Sequence, residues 1–211
     1  MLISRSRKLL FVHIQKTGGT SIAAALRSAI PDATDILFTH DHARWARDHL
    51  GQDYDELFKF AFVRNPWERL VSWYTMITGH GRAHAVTHKN ELWNYVFSQS
   101  ATFEEFILNC TETIVDGDGR RSFVYNQLDY LTDDGSNLIV NFVGRYENLE
   151  LDFQRLTASQ GLGPVVLPRL NTSRHQHYSD YYTPLTRDIV AERFARDIAA
   201  FGYTFEQRSL N

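Results

Sequence analysis

The sequence predicts an α/β protein of P-loop-like, three-layer design, with a central, mainly parallel sheet flanked by helices, and three observations carry this. A buried apolar strand runs through a glycine loop into a helix start over residues 8–30. The same strand-to-helix logic recurs over residues 58–77. Further strand and helix candidates alternate between and after these two units, the pattern of a parallel sheet with helical crossovers.

Taken in order, residues 8–14 (KLLFVHI) read as a strand and 20–30 (TSIAAALRSAI) as a helix. Residues 36–39 form a short strand candidate, 43–50 a helix and 58–63 (FKFAFV) an aromatic-rich buried strand. Arg64-Asn65-Pro66 ends that strand, with Asn65 as an N-cap and Pro66 suited to the first turn of a helix over 67–77. Residues 79–90, polar and carrying Gly and His, read as a loop before helices over 91–97 and 103–110. A strand over 138–143, a helix over 147–159 and a closing helix over 184–201 complete the chain. In the last, Ile189, Val190, Phe194 and Ile198 recur at helical spacing. No repeat or linker interrupts the sequence, so residues 1–211 are expected to form a single domain.

Composition narrows the function. With 211 residues, 43% of them hydrophobic and 22% charged, the chain has the make-up of a soluble globular enzyme. A net charge of −3 opposes nucleic-acid binding, which needs a basic surface to displace counterions from phosphates. The apolar run 9–14 is too short for a signal core or a membrane span, so a cytoplasmic location without stable membrane insertion is expected. The single cysteine, Cys110, reads as a small buried hydrophobe. A homodimer is the ordinary prior for a soluble enzyme.

The strongest chemical signal is His13-Ile14-Gln15-Lys16-Thr17-Gly18-Gly19-Thr20-Ser21, set between the first strand and the first helix. Backbone N–H groups and the positive helix end can surround an anion there, and paired glycines let the backbone come close. A nucleotide-triphosphate loop would put lysine after the last glycine, whereas Lys16 precedes both. This order resembles the 5′-phosphosulfate loop of the carbohydrate-type sulfotransferases that use 3′-phosphoadenosine 5′-phosphosulfate (PAPS), with Gln15 standing where that family usually has proline. The resemblance implies that Lys16, Thr17, Gly18, Gly19, Thr20 and Ser21 bind the donor, and that the product is 3′-phosphoadenosine 5′-phosphate (PAP).

Arg64-Asn65-Pro66-Trp67-Glu68-Arg69-Leu70-Val71-Ser72 resembles the same family's 3′-phosphate motif, an arginine followed eight residues later by a serine. Arg64 and Ser72 hold those positions; a guanidinium fork suits phosphate and a hydroxyl can donate to it. Further matches are Asn126-Gln127 with Tyr130-Leu131, then Phe142 to Glu147 and Leu167 to Ser173. The last of these implies weaker donor contacts from Thr172, Ser173 and Arg174.

Thr39-His40-Asp41-His42 lies between the two phosphate motifs. A histidine can accept a hydroxyl proton at neutral pH, although a structural role or a metal pair are the other readings of two such residues. In the glycosaminoglycan 2-O-sulfotransferase branch a similar pair supplies the catalytic base, which implies His42 as base and His40 as second candidate. His80, His84 and His88 recur every four residues and read as solvated or acceptor-facing loop residues. The expected activity is therefore sulfuryl transfer from PAPS to a hydroxylated acceptor, a carbohydrate, glycolipid or small metabolite, without a metal. A kinase using ATP and magnesium, or a non-catalytic phosphoadenosine-binding module, are the alternatives.

Overall fold

The computed structural model of the chain describes residues 1–87, 91–112, 123–134, 136–168, 170 and 176–206, without the side chains of 82, 83, 85 and 86. The chain divides into two compact units, Met1–Arg64 with Gln127–Thr172, and Asn65–Asn126 with Ser173–Asn211.

The first unit contains β1 (Leu2–Ser4), β2 (Leu9–Val12), α1 (Gly19–Ala29), β3 (Thr34–Asp35), α2 (Ala43–Leu50), α3 (Asp53–Glu56) and β4 (Phe58–Val63). It resumes with a 3₁₀ turn at Gln127–Tyr130, β5 (Phe142–Arg145), a second 3₁₀ turn at Tyr146–Asn148, and α7 (Leu149–Ser159). The second unit carries α4 (Pro66–Thr87), α5 (Glu91–Gln99), α6 (Phe103–Cys110), α8 (Pro184–Arg193) and α9 (Ala195–Phe201).

The five strands lie in the order β3-β1-β2-β4-β5. Strands β2, β4 and β5 run parallel, with Phe11 opposite Phe60 and Phe60 opposite Phe142, whereas β1 is antiparallel to both β2 and β3. The result is an α/β fold with a mixed sheet, parallel over β2, β4 and β5. Alternation sorts the strand residues: Leu9, Phe11, Phe60 and Phe62 pack with Ile22, Ala25 and Leu26 of α1 and with Phe153 and Leu156 of α7. Leu10, Val12, Ala61 and Val63 face the other way and are buried too, which is why these strands read as unbroken apolar runs. Gly144 accommodates the Phe62 ring beside it, because a Cβ at that position would meet the ring directly.

In the second unit Asn65 caps α4 as its type predicts, Oδ1 accepting from Trp67 N at 3.1 Å. Thr102 caps α6, and Thr183 and Thr186 form a capping box on α8. Cys110 is fully buried, and burial pushes its thiol up to about 11. No helix among the described residues is long and apolar enough to cross a membrane.

Several boundaries differ from the sequence reading, each for a local reason. Residues 36–39 are not a strand: the pairing segment is Thr34–Asp35, and Leu37 takes a left-handed conformation (φ 55) that breaks extension. The 79–87 stretch is helical rather than a loop, since α4 absorbs its kink at Gly81 alone (φ 78, ψ 161). Strand β5 starts at Phe142, while Leu138 makes only an isolated bridge to Thr132. The closing helix is two, because Phe194 (φ −109, ψ 25) leaves helical geometry between α8 and α9.

Candidate functional site

In the first unit the loop between β2 and α1 is built from the inside. Thr17 is fully buried, and its hydroxyl donates to the Ile14 carbonyl at 2.9 Å, closing the turn on itself. Lys16 adopts φ 67 and Gly18 φ 80. Left-handed backbone comes readily to glycine and carries strain for lysine, a pattern concentrated at functional turns. Gly18 is the N-cap of α1, its carbonyl accepting from Ser21 N at 3.1 Å and Ile22 N at 3.2 Å. Ser21 is thereby committed twice, since its Oγ also accepts from Leu170 N at 3.3 Å; Thr20 is exposed.

Gly19 lies flat against the imidazole of His13, where any Cβ would overlap the ring. That ring stacks on Phe11 at 5.4 Å and meets His40 edge-on at 4.6 Å. Burial first, and the neighbouring His40 second, hold His13 down to about 3, so it is neutral at physiological pH. Sequence reasoning left His13 without a role of its own, although it opens the motif.

Arg64 ends β4 and reaches the same loop, its Nη1 donating to the Lys16 carbonyl at 3.1 Å while its guanidinium covers the Tyr146 ring at 3.9 Å. Gln127, fully buried, grips the Arg64 backbone on both sides, Oε1 accepting from its N–H at 2.8 Å and Nε2 donating to its carbonyl at 2.7 Å. The sequence flagged Gln127 only as a family match; a glutamine at the end of a loop carries no signal of such a clamp. Lys16 is lowered to about 8, chiefly by burial and further by the Arg64 charge. Two cations, one desolvated, therefore meet at a glycine loop, which is the arrangement an anionic phosphate would relieve.

His42 is 2% exposed at the N-cap of α2, its ring between Trp45 (4.6 Å) and Tyr130 (4.4 Å). Burial, then the Arg44 charge, lower it to about 4 against a hydrogen bond that the ring donates to the Asp129 backbone carbonyl. His40 is only half-buried, with Nδ1 2.9 Å from the His13 carbonyl oxygen. Both histidines named by the sequence thus lie in the unit that holds the loop, in unlike surroundings.

Ser72 belongs to the second unit, buried on α4. Also there, His80 and His84 lie 5.0 Å apart on α4 with both rings against Trp93; His88 lies outside the described residues. Thr172, Ser173 and Arg174 lie outside them as well. A cleft among α4, α5 and α6 is lined by Tyr74, Phe97, Gln99, Ser100, Glu105 and Asn109.

A glycine loop joining a parallel strand to a helix N-terminus, with lysine ahead of the glycines, defines a P-loop-like α/β protein. The profile of the sulfotransferase family matches residues 1–204, and the chain belongs to that family of PAPS-dependent transferases. The chain is 24% identical to carbohydrate sulfotransferase 10 of Danio rerio over 248 aligned residues, spanning 96% of this chain and 66% of that protein. It is also 28% identical to an uncharacterized protein of Archaeoglobus fulgidus over 137 residues, spanning 63% of this chain and 92% of the other. The family profile and the match to carbohydrate sulfotransferase 10 support the carbohydrate sulfotransferase type without singling out the 2-O branch.

Proposed function

We propose that this chain transfers the sulfuryl group of PAPS to a hydroxyl of a neutral carbohydrate, glycolipid or small hydroxylated metabolite. The observation that carries the proposal is Lys16, strained at the apex of a glycine loop and desolvated beside Arg64. PAPS supplies an activated sulfuryl group and a phosphate leaving group. Lys16, with the amides of the Thr17–Ser21 stretch, balances charge on the 5′-phosphate as its bond to sulfur breaks. Arg64, and Ser72 and the Thr172–Arg174 stretch by motif alone, hold the 3′-phosphate.

His42 takes the acceptor hydroxyl proton while the acceptor oxygen bonds to sulfur, with His40 as the alternative base. A histidine lowered to about 4 is neutral at pH 7 and has a lone pair to offer. Assignment to the 2-O branch rests on the histidine pair alone. The slightly acidic composition, net −3, favours a neutral acceptor over a polyanionic polysaccharide.

Calorimetric titration with PAP, with AMP and with ATP plus magnesium tests the reading. PAP should bind far more tightly than AMP, and Arg64→Ala should abolish the difference. Preference for ATP with magnesium would instead establish a kinase, and tight PAP binding with no turnover of PAPS on any hydroxylated acceptor a sensing module.

A further inference from the structure

The turn between β3 and α2 carries features that donor binding and proton removal leave unexplained. Phe38 N donates to Asp41 Oδ2 at 3.0 Å and Asp41 N donates to the Phe38 carbonyl at 3.3 Å, closing the turn with the buried Asp41 carboxylate. Leu37 is held at φ 55, a conformation bulky side chains adopt only when their surroundings impose it. On this fixed backbone Phe38 keeps 64% of its surface exposed. A single exposed apolar residue is ordinary, but a strained and cross-braced turn that presents an aromatic ring to solvent is not.

Two residues on, His40 is fixed as well. Its Nδ1 faces the His13 carbonyl at 2.9 Å, and a carbonyl can only accept, so Nδ1 carries the proton. In the neutral ring Nε2 is then the acceptor atom. The His13 ring, edge-on to His40, opens the stretch that carries Lys16 and presses on Gly19, so the turn and the glycine loop share one rigid anchor.

We propose that this turn recognises the acceptor: His40 Nε2 accepts a hydrogen bond from an acceptor hydroxyl, and Phe38 stacks on the C–H face of a neutral pyranose ring. The inference rests on the transferase reading and adds the acceptor's shape to it. A pyranose offers an apolar face and equatorial hydroxyls together, the pair of features that an uncharged ring and a single imidazole acceptor can match. Phe38 and His40 would then govern acceptor affinity and leave donor affinity unchanged.

The test uses PAP-saturated protein and neutral methyl pyranosides of the gluco, galacto, manno and N-acetylgluco series, titrated by saturation-transfer NMR. Phe38→Ala should weaken the bound sugar about tenfold and Phe38→Trp should restore it, with PAP affinity unchanged in both. His40→Gln, which keeps an acceptor atom near the Nε2 position, should retain sugar affinity that His40→Ala loses. Imidazole ¹⁵N spectra should show the Nδ1–H tautomer at His40 in the free protein. A wild-type protein that binds PAP and none of these sugars, or a Phe38→Ala protein that binds them as tightly as wild type, overturns the inference. Failure of wild type to bind PAP overturns the transferase reading beneath it.

Discussion

Lys16 bears two unfavourable terms at once, a left-handed backbone and an ammonium lowered to about 8 by burial and by Arg64. The second is relieved by an anion, and this gives a proton linkage. Around pH 8 Lys16 is part-deprotonated in the protein without PAP, and a bound phosphate restores its charge. PAP binding should therefore take up protons near pH 8 and few at pH 6.5, read as a buffer dependence of the calorimetric enthalpy. Affinity should fall as pH rises past about 8, and Lys16→Ala should remove the linkage while lowering turnover by roughly 10² to 10³. His42→Ala should lower turnover by roughly 10² to 10⁴ with PAP affinity kept, by the usual contribution of a general base. The residue order of the loop was legible because glycines and lysine advertise phosphate chemistry. The inward turn of the Thr17 hydroxyl and the packing of His13 on Gly19 were not, since both depend on atoms that only folding assembles.

Arg64 illustrates how an element's end is set by a residue far along the chain. β4 stops where Gln127 takes over the backbone hydrogen bonds that a further strand residue would have made. Gln127→Leu leaves that buried N–H and carbonyl unsatisfied and should cost about 1–3 kcal/mol per group lost, measured as a shift in the urea midpoint. PAP affinity should fall with it, as Arg64 loses its fixed starting point. Asn65→Ala should cost about 1 kcal/mol through its cap on α4. The long apolar strands were readable from their unbroken hydrophobic runs, and the α2 and α6 helices from composition and length, with Thr102 capping α6. The 36–39 run misled because four apolar or β-branched residues favour a strand, while Asp41 closes a turn on Phe38 that local propensity does not register. The 184–201 helix likewise kept its periodicity across the break at Phe194, since burying one aromatic suits either geometry.

Among the described residues two imidazoles are pushed down by desolvation, His13 to about 3 and His42 to about 4 from an ordinary 6.5. Between pH 6.5 and these values the unfolded chain binds protons that the folded chain refuses. Stability is therefore complete above about pH 6.5 and declines as pH falls towards 4. Urea midpoints at pH 7.5 and pH 5 should show this decline, and it should be shallower in His42→Phe, which has one fewer group to titrate. At this scale the sequence yielded the α/β class and its parallel centre. It did not yield the antiparallel flank, because β1 and β3 are only 3 and 2 residues long and the first seven residues include two arginines, Arg5 and Arg7, that mask a strand signal.

The contact between His13 and Gly19 also reaches beyond this one molecule. Six positions apart, the two residues fill one volume: a broad flat ring at 13 permits nothing larger than hydrogen at 19. Among homologous chains the pair should vary as a single character. A small residue at the first position would license alanine or serine at the second, and an aromatic or imidazole ring there would forbid them. Gly19 is on this account a record of its neighbour's size as much as of any ligand's approach, and a chain that lost the ring could lose the glycine without losing the loop.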